Sequence, residues 1–210
     1  DEDGLDDGEE INEYESNPNV VDSDGDGLND GEEVNDYGSN PVHTDSDNDG
    51  LNDGSEVNIF QTEPGNNDTD GDGVEDGDEI NLYSTNATNE DSDNDGINDG
   101  EELFTYETNP NRNDTDFDGL LDLWEIQGAF PNCSWENPDT GIVCDFNGDG
   151  MVSSDDGTDP NDADTDGGAV GDGVEIYVDE SNPLDDSDDE TSDLDQDGDG
   201  LTDGEEFVLG

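Results

Sequence analysis

The chain has 210 residues, of which 68 are Asp or Glu and one is a basic residue, Arg112, for a formal net charge of −67. Only 24% of residues are hydrophobic, and 28 glycines and eight prolines dilute them further; such a composition cannot collapse into an ordinary apolar core by itself. A single cationic side chain excludes nucleic acid and anionic membrane surfaces as partners, and no apolar run approaches the ~18 residues that insert across a bilayer.

In chain order, the first element is a partial acidic phrase with Asp1, Asp3, Asp7 and Glu10. From Asp22 the pattern is complete: D-x-D-x-D-G-(apolar)-x-D, closed by Glu at the twelfth position. Five such phrases open 23 residues apart. Their acids at positions 1, 3, 5, 9 and 12 are Asp22, Asp24, Asp26, Asp30 and Glu33, then Asp45, Asp47, Asp49, Asp53 and Glu56. The third set is Asp68, Asp70, Asp72, Asp76 and Glu79, and the fourth Asp91, Asp93, Asp95, Asp99 and Glu102. The fifth is Asp114, Asp116, Asp118, Asp122 and Glu125. After an eight-residue insertion a variant phrase offers Asp145, Asn147, Asp149, Ser153 and Asp156. After a four-residue deletion another offers Asp164, Asp166, Asp172 and Glu175, with Gly168 where the third acid belongs. A second eight-residue insertion precedes the last set, Asp195, Asp197, Asp199, Asp203 and Glu206.

Each closing glutamate is followed by an apolar residue (Val34, Val57, Ile80, Leu103, Ile126) and, three further on in most repeats, by an aromatic (Tyr37, Phe60, Tyr83, Tyr106). That spacing predicts one face of a helix of one or two turns. A breaker such as Ser39-Asn40-Pro41 or Thr108-Asn109-Pro110 then sets a turn. The predicted fold class is a calcium-stabilised repeat array of mostly irregular loops and short helices with little β-structure, forming an elongated rod. Its organisation is a partial repeat over 1–21, tandem repeats over 22–126, a cysteine-flanked insertion over 127–144, two variant repeats over 145–183, an acidic insertion over 184–194 and a final partial repeat over 195–210. Beginning at Asp1 with no signal peptide and stopping four residues past a glutamate, the sequence reads as an excised or processed segment.

Carboxylates at alternate positions of a tight loop converge only if a cation cancels their repulsion. Ca²⁺ accepts six to eight oxygens in flexible geometry, and a glycine at position 6 permits the sharp reversal. The phrases hold no His or Cys, which argues against zinc and copper, and sites this rich in protein oxygens favour Ca²⁺ over Mg²⁺. An acidic solvated surface would account for the charge but not for glycines at fixed offsets.

These phrases resemble thrombospondin type-3 repeats, particularly their bacterial and archaeal form, over nearly the whole chain. The apolar residue at position 7 (Leu28, Leu51, Val74, Ile97, Leu120) followed by Asp at position 9 carries the resemblance; DFNGDGMVSSDD alone looks more like an EF-hand or dockerin loop. The resemblance implies an extracellular array wrapped around a row of calcium ions, which act as its core. Animal members carry disulfides through the repeats, whereas this chain has two cysteines.

Cys133 and Cys144 flank the insertion, and in an extracellular setting they are expected to pair, within the chain or between chains. Trp124, Phe130 and Trp135 suggest a small apolar plug beside them. His43 and Arg112 stand in turns without a nucleophile pattern, so no enzymatic activity is expected. Sequons at Asn67, Asn86, Asn113 and Asn132 permit glycosylation. The expected protein is a secreted or cell-surface calcium-binding structural repeat that self-associates head to tail as a filament. A stalk holding an adhesin, and a calcium reservoir or mineral nucleator, are the alternatives.

Overall fold

A computed structural model describes residues 2–131, 133, 144, 157–168, 170–179 and 181–185. The chain divides into two units, Asp1–Ser92 with Asn98–Gly100, and Asp93–Ile97 with Glu101–Gly210. Among the described residues there are short helices and no strand, as the spacing predicts. No described helix is long and apolar enough to cross a membrane.

Each repeat is a loop running into a helix. Helices α1 to α5 are α-helical over Asp7–Glu9, Asp30–Glu32, Asp53–Ser55, Asp76–Asp78 and Asp99–Glu101, and each continues as a π-helical turn, Glu10–Tyr14, Glu33–Tyr37, Glu56–Phe60, Glu79–Tyr83 and Glu102–Tyr106. Helix α6 (Asp122–Gln127) is wholly α-helical, and α7 (Asp172–Val174) continues into Glu175–Asp179. The sequence prescribes where each begins. Asn29 makes a reciprocal capping box with Glu32, and Asn52 accepts from the Ser55 amide at 2.9 Å, meeting otherwise unpaired donors of the first turn.

The widening from α to π, absent from the sequence expectation, centres on the closing glutamate. The carbonyl of Glu33 accepts from Gly38 at 2.6 Å and from Ser39 at 3.1 Å, five and six residues on instead of four. The chain leaves the turn through a left-handed residue, Glu15, Gly38, Gln61, Ser84 or Glu107. Helix termination therefore precedes the proline, which follows within the turn. Asparagine side chains brace the junction: Asn35, Asn58 and Asn81 donate to the carbonyls of Gly31, Gly54 and Gly77 at 2.7–2.8 Å.

The core has one aliphatic side chain per repeat. Leu28, Leu51, Val74, Ile97 and Leu120 at loop position 7 are buried, while Val34, Val57, Ile80, Leu103 and Ile126 after the glutamates are half-buried and Tyr37 is exposed. Most other buried groups are acids and the hydroxyls beside them: the position-9 aspartates and position-12 glutamates have no exposed surface from Asp30 through Glu125, and Ser39, Thr62 and Thr108 are buried with them.

Within the first unit, stacking of repeats rests on glycine at loop position 10. The amides of Gly54, Gly77 and Gly100 donate to Asp26, Asp49 and Asp72 of the preceding repeat at 2.7, 2.8 and 3.1 Å. A Cβ on Gly31, Gly54, Gly77 or Gly100 would lie 2.1–2.3 Å from the carbonyl oxygen of that same aspartate position (Asp3, Asp26, Asp49 and Asp72). Only a residue without a side chain fits there.

In the second unit, the same contact joins loops far apart in sequence. Gly173 donates to Asp118 at 3.0 Å, and Thr158 donates to Glu125 at 2.8 Å, although elsewhere that hydroxyl comes six residues after its glutamate, as in Thr108 and Glu102. The loop at Asp164 thus stacks directly on the loop at Asp114, with 27 additional residues in the turn between them. Beside this step Leu120, Phe130, Cys144 and Ile176 form an apolar cluster, flanked by Trp124, Cys133, Tyr177 and Leu184. Cys133 and Cys144 are disulfide-bonded to each other, the intrachain member of the two pairings expected from sequence.

Candidate metal centres

Loop positions 1, 3 and 5 are drawn together by backbone amides. Asp22 accepts from Gly25 and Gly27 at 2.6 and 3.2 Å, Asp24 from the amide of Asp26 at 3.2 Å, and Asp26 from Leu28 at 2.8 Å. Asp45, Asp47 and Asp49 repeat these bonds, as do Asp68, Asp70 and Asp72. In all three triads one carboxylate oxygen per residue comes within 4.8 Å of the others. One oxygen of Asp24, Asp47, Asp70 and Asp116 is buried with no hydrogen-bond partner.

Position 12 stays with position 5 of its own loop, whereas position 9 departs from the single-loop convergence expected and joins the preceding repeat. Asp30 clusters with Asp3 and Glu10, and Asp76 with Asp49 and Glu56, in each case acids of the preceding repeat. Two kinds of oxygen cluster therefore alternate, one inside a loop and one between repeats, with the position-5 aspartate shared.

The supporting residues are hydroxyls. Ser23, Ser46, Thr69, Ser92, Thr115 and Thr165, at position 2, each donate both backbone amide and hydroxyl to the two oxygens of the position-9 aspartate, at 2.6–2.9 Å. The Ser or Thr after the π-turn donates to the position-12 glutamate: Ser39 to Glu33 and Thr62 to Glu56 at 3.2 Å, Thr85 to Glu79 at 3.0 Å. The other oxygen of Glu33, Glu56, Glu79 and Glu125 is buried without a partner. Sequence reasoning passed over these hydroxyls, although Ser or Thr at position 2 of every phrase except those at Asp145 and Asp195 was a readable signal.

Burial, followed by neighbouring carboxylates, pushes Glu33 and Glu56 up to about 8. Burial also takes Glu79 to about 8 and Glu125 to about 9. Asp24, Asp47 and Asp70 rise to about 6, and Asp116 and Asp172 to about 7, with burial again the first cause. A carboxylate without solvent and beside its own kind must either take a proton or meet a cation. Oxygen-only donor sets with orphaned buried oxygens fit a hard divalent ion of the size of Ca²⁺.

The loop at Asp164 is reorganised. With Gly168 in place of an acid, the position-5 carboxylate is lost; the Gly168 amide keeps the usual bond to Asp166 at 2.9 Å and adds one to Asp164 at 3.1 Å. Asp1, the set from Asp145 to Asp156 and the set from Asp195 to Glu206 lie outside the described residues.

The model of the bacterial TSP3 repeat matches residues 1–20, 22–42, 45–64, 68–86, 91–113 and 195–210, together more than half of the chain. No curated protein matches. Two solved structures are similar over short stretches. The B domain of a biofilm associated protein is 47% identical over 21% of this chain and 11% of its own, with a TM-score of 0.21. The BSP domain of a biofilm associated protein is 49% identical over 20% of this chain and 7% of its own, with a TM-score of 0.20.

Proposed function

Because the chain belongs to the bacterial TSP3 repeat family, we propose that it is a calcium-stabilised structural protein of the cell surface or extracellular space, without enzymatic activity. The observation that carries this reading is the position-12 glutamate. Glu33, Glu56 and Glu79 are fully buried, held on one oxygen by a Ser or Thr hydroxyl and without a partner on the other. A calcium ion between repeats would take that oxygen together with the position-5 aspartate and the next repeat's position-9 aspartate. A second ion would sit among positions 1, 3 and 5. The bound ions would supply the cohesion that one aliphatic side chain per repeat does not.

The stacking contact also supports head-to-tail self-association. An aspartate oxygen and a side-chain-free glycine are the complementary halves of the steps at Gly54, Gly77, Gly100 and Gly173, and two chains could meet through the same halves, an open-ended contact that extends into a filament. The alternative, a stalk within a larger surface protein, uses the same rigidity without the contact between chains. Electron microscopy separates them: the filament reading requires ordered fibres in calcium, and isolated particles would favour the stalk.

Calcium titration followed by circular dichroism and calorimetry tests the primary reading. Chelation is expected to abolish the helical signal and calcium to restore it. Glu79→Gln, which keeps the shape and removes the charge, is expected to weaken binding about tenfold, or ~1.4 kcal/mol. Retention of the helical signal after exhaustive EDTA treatment at about pH 9, where the buried glutamates can no longer hold protons, would falsify the proposal.

A further inference from the structure

Loop position 4 adopts a left-handed conformation, and nearly every residue there suits it: Gly25, Asn48, Gly71, Asn94 and Gly167 have φ between 65° and 85°. The exceptions are Glu2 in the partial first repeat, at φ 72°, and Phe117 in the loop at Asp114, at φ 71°. A bulky side chain is disfavoured in that region. Burial does not compensate, because Phe117 is 61% exposed. Strain held at an exposed aromatic residue points to a use beyond stability.

The surroundings of the ring differ from those of the other loops. Arg112, the one basic residue of the chain, places its guanidinium carbon 3.2 Å from the centroid of the Phe117 ring and donates to the carbonyl of Asp114 at 3.1 Å. One ring face is thus covered and the guanidinium fixed. Beside them lies a shallow, open cavity of about 360 Å³ lined by Asp93, Asn111, Arg112, Asn113, Asp114 and Phe117.

The lining selects the ligand class. Surrounding negative charge repels anions, and a single ring gives an apolar peptide too little to bury. A neutral polyhydroxylated ring meets both constraints. Its C–H face packs on an aromatic surface, and its hydroxyls find guanidinium donors and side-chain amide acceptors at the rim. We propose that this cavity binds a pyranose saccharide, stacked on Phe117 and hydrogen-bonded by Arg112 and Asn113. The site adjoins the cation clusters, since Asp93 and Asp114 line it, but Phe117, Arg112 and Asn113 lie outside the loop-ligand positions.

Saturation-transfer NMR on the calcium-loaded chain tests it, with the methyl glycosides of glucose, galactose, mannose and N-acetylglucosamine as probes. At least one is expected to receive saturation at its ring protons. Phe117→Gly restores the residue type of neighbouring loops, so its melting temperature is expected to stay level or rise while sugar binding falls at least tenfold. Arg112→Gln is expected to weaken binding with the ring retained. Absence of transfer to all four probes overturns the proposal, as does equal binding by the glycine variant. A lower melting temperature for Phe117→Gly would assign the ring to packing and would overturn it too.

Discussion

At the scale of single residues, the chemistry turns on carboxyl groups that carry charge reluctantly. Glu33, Glu56 and Glu79 are pushed up to about 8 and Glu125 to about 9 by burial, against ~4.3 in an unfolded chain. A folded-state value above the unfolded one means that protons favour the fold. Without divalent ions, the stability from these groups is complete below ~4.3 and is lost as pH rises through 8 to 9. Chelated protein is therefore expected to gain helical dichroism when acidified from about pH 9 to about pH 5. Calcium-loaded protein is expected to move the other way, releasing ions as protons compete for the same oxygens. A chelated sample whose dichroism is flat over that range would contradict the assignment. The acids themselves were legible in the sequence, because identical residues recur every 23 positions. Which acids share a cluster was not legible: a strict period cannot distinguish Asp53 of one repeat from Asp30 of another as the neighbour of Glu33.

The helices are short because each is specified from both ends. Asn29 or Asn52 begins a helix and a left-handed residue such as Gln61 ends it, leaving room for one α-turn and one π-turn. The apolar-to-aromatic spacing made the existence of these helices readable. It did not reveal the π-turn, which comes from a carbonyl accepting from residues five and six places on, a feature without a compositional signature. Nor did it reveal that the glycine at position 10 has a steric task. Gly77→Ala places a Cβ 2.1 Å from the Asp49 carbonyl oxygen, and is expected to destabilise the calcium-loaded chain by ~2 kcal/mol through overpacking. Thermal unfolding measures this, and an unchanged midpoint would show that the repeats separate without cost. Leu123 occupies the corresponding position in the loop at Asp114, where its side chain lies against Gly96. The step from the loop at Asp91 to the loop at Asp114 therefore departs from the glycine arrangement.

For the whole molecule, 27 additional residues enter one turn and leave the next contact in place. Gly173 finds Asp118, and Thr158 finds Glu125, as their counterparts do without an insertion. Deleting residues 131–157 and replacing Phe130 by Gly, to supply the left-handed exit used at Gly38, is expected to give a chain that folds with calcium. It should protect the Gly173 amide from hydrogen exchange, while losing the stability contributed by Phe130 and Cys144 in the apolar cluster. Fast exchange at Gly173 would show instead that the inserted residues hold the step together. The two offsets read from the sequence, eight residues gained and four lost around one variant repeat, gave the right total. They could not indicate that the loops on either side meet directly, because stacking is a property of space and not of chain order.

The glycine–carbonyl contact also governs how such a chain can change in length over evolutionary time. A slip of one residue would bring a side chain against the Asp49 carbonyl, so growth and shrinkage are confined to duplication or loss of whole 23-residue copies. Foreign sequence is admitted only in a turn, where it leaves the phase of the copies undisturbed. Genes for such arrays are therefore expected to vary among related strains in copy number far more than in the size of the copy.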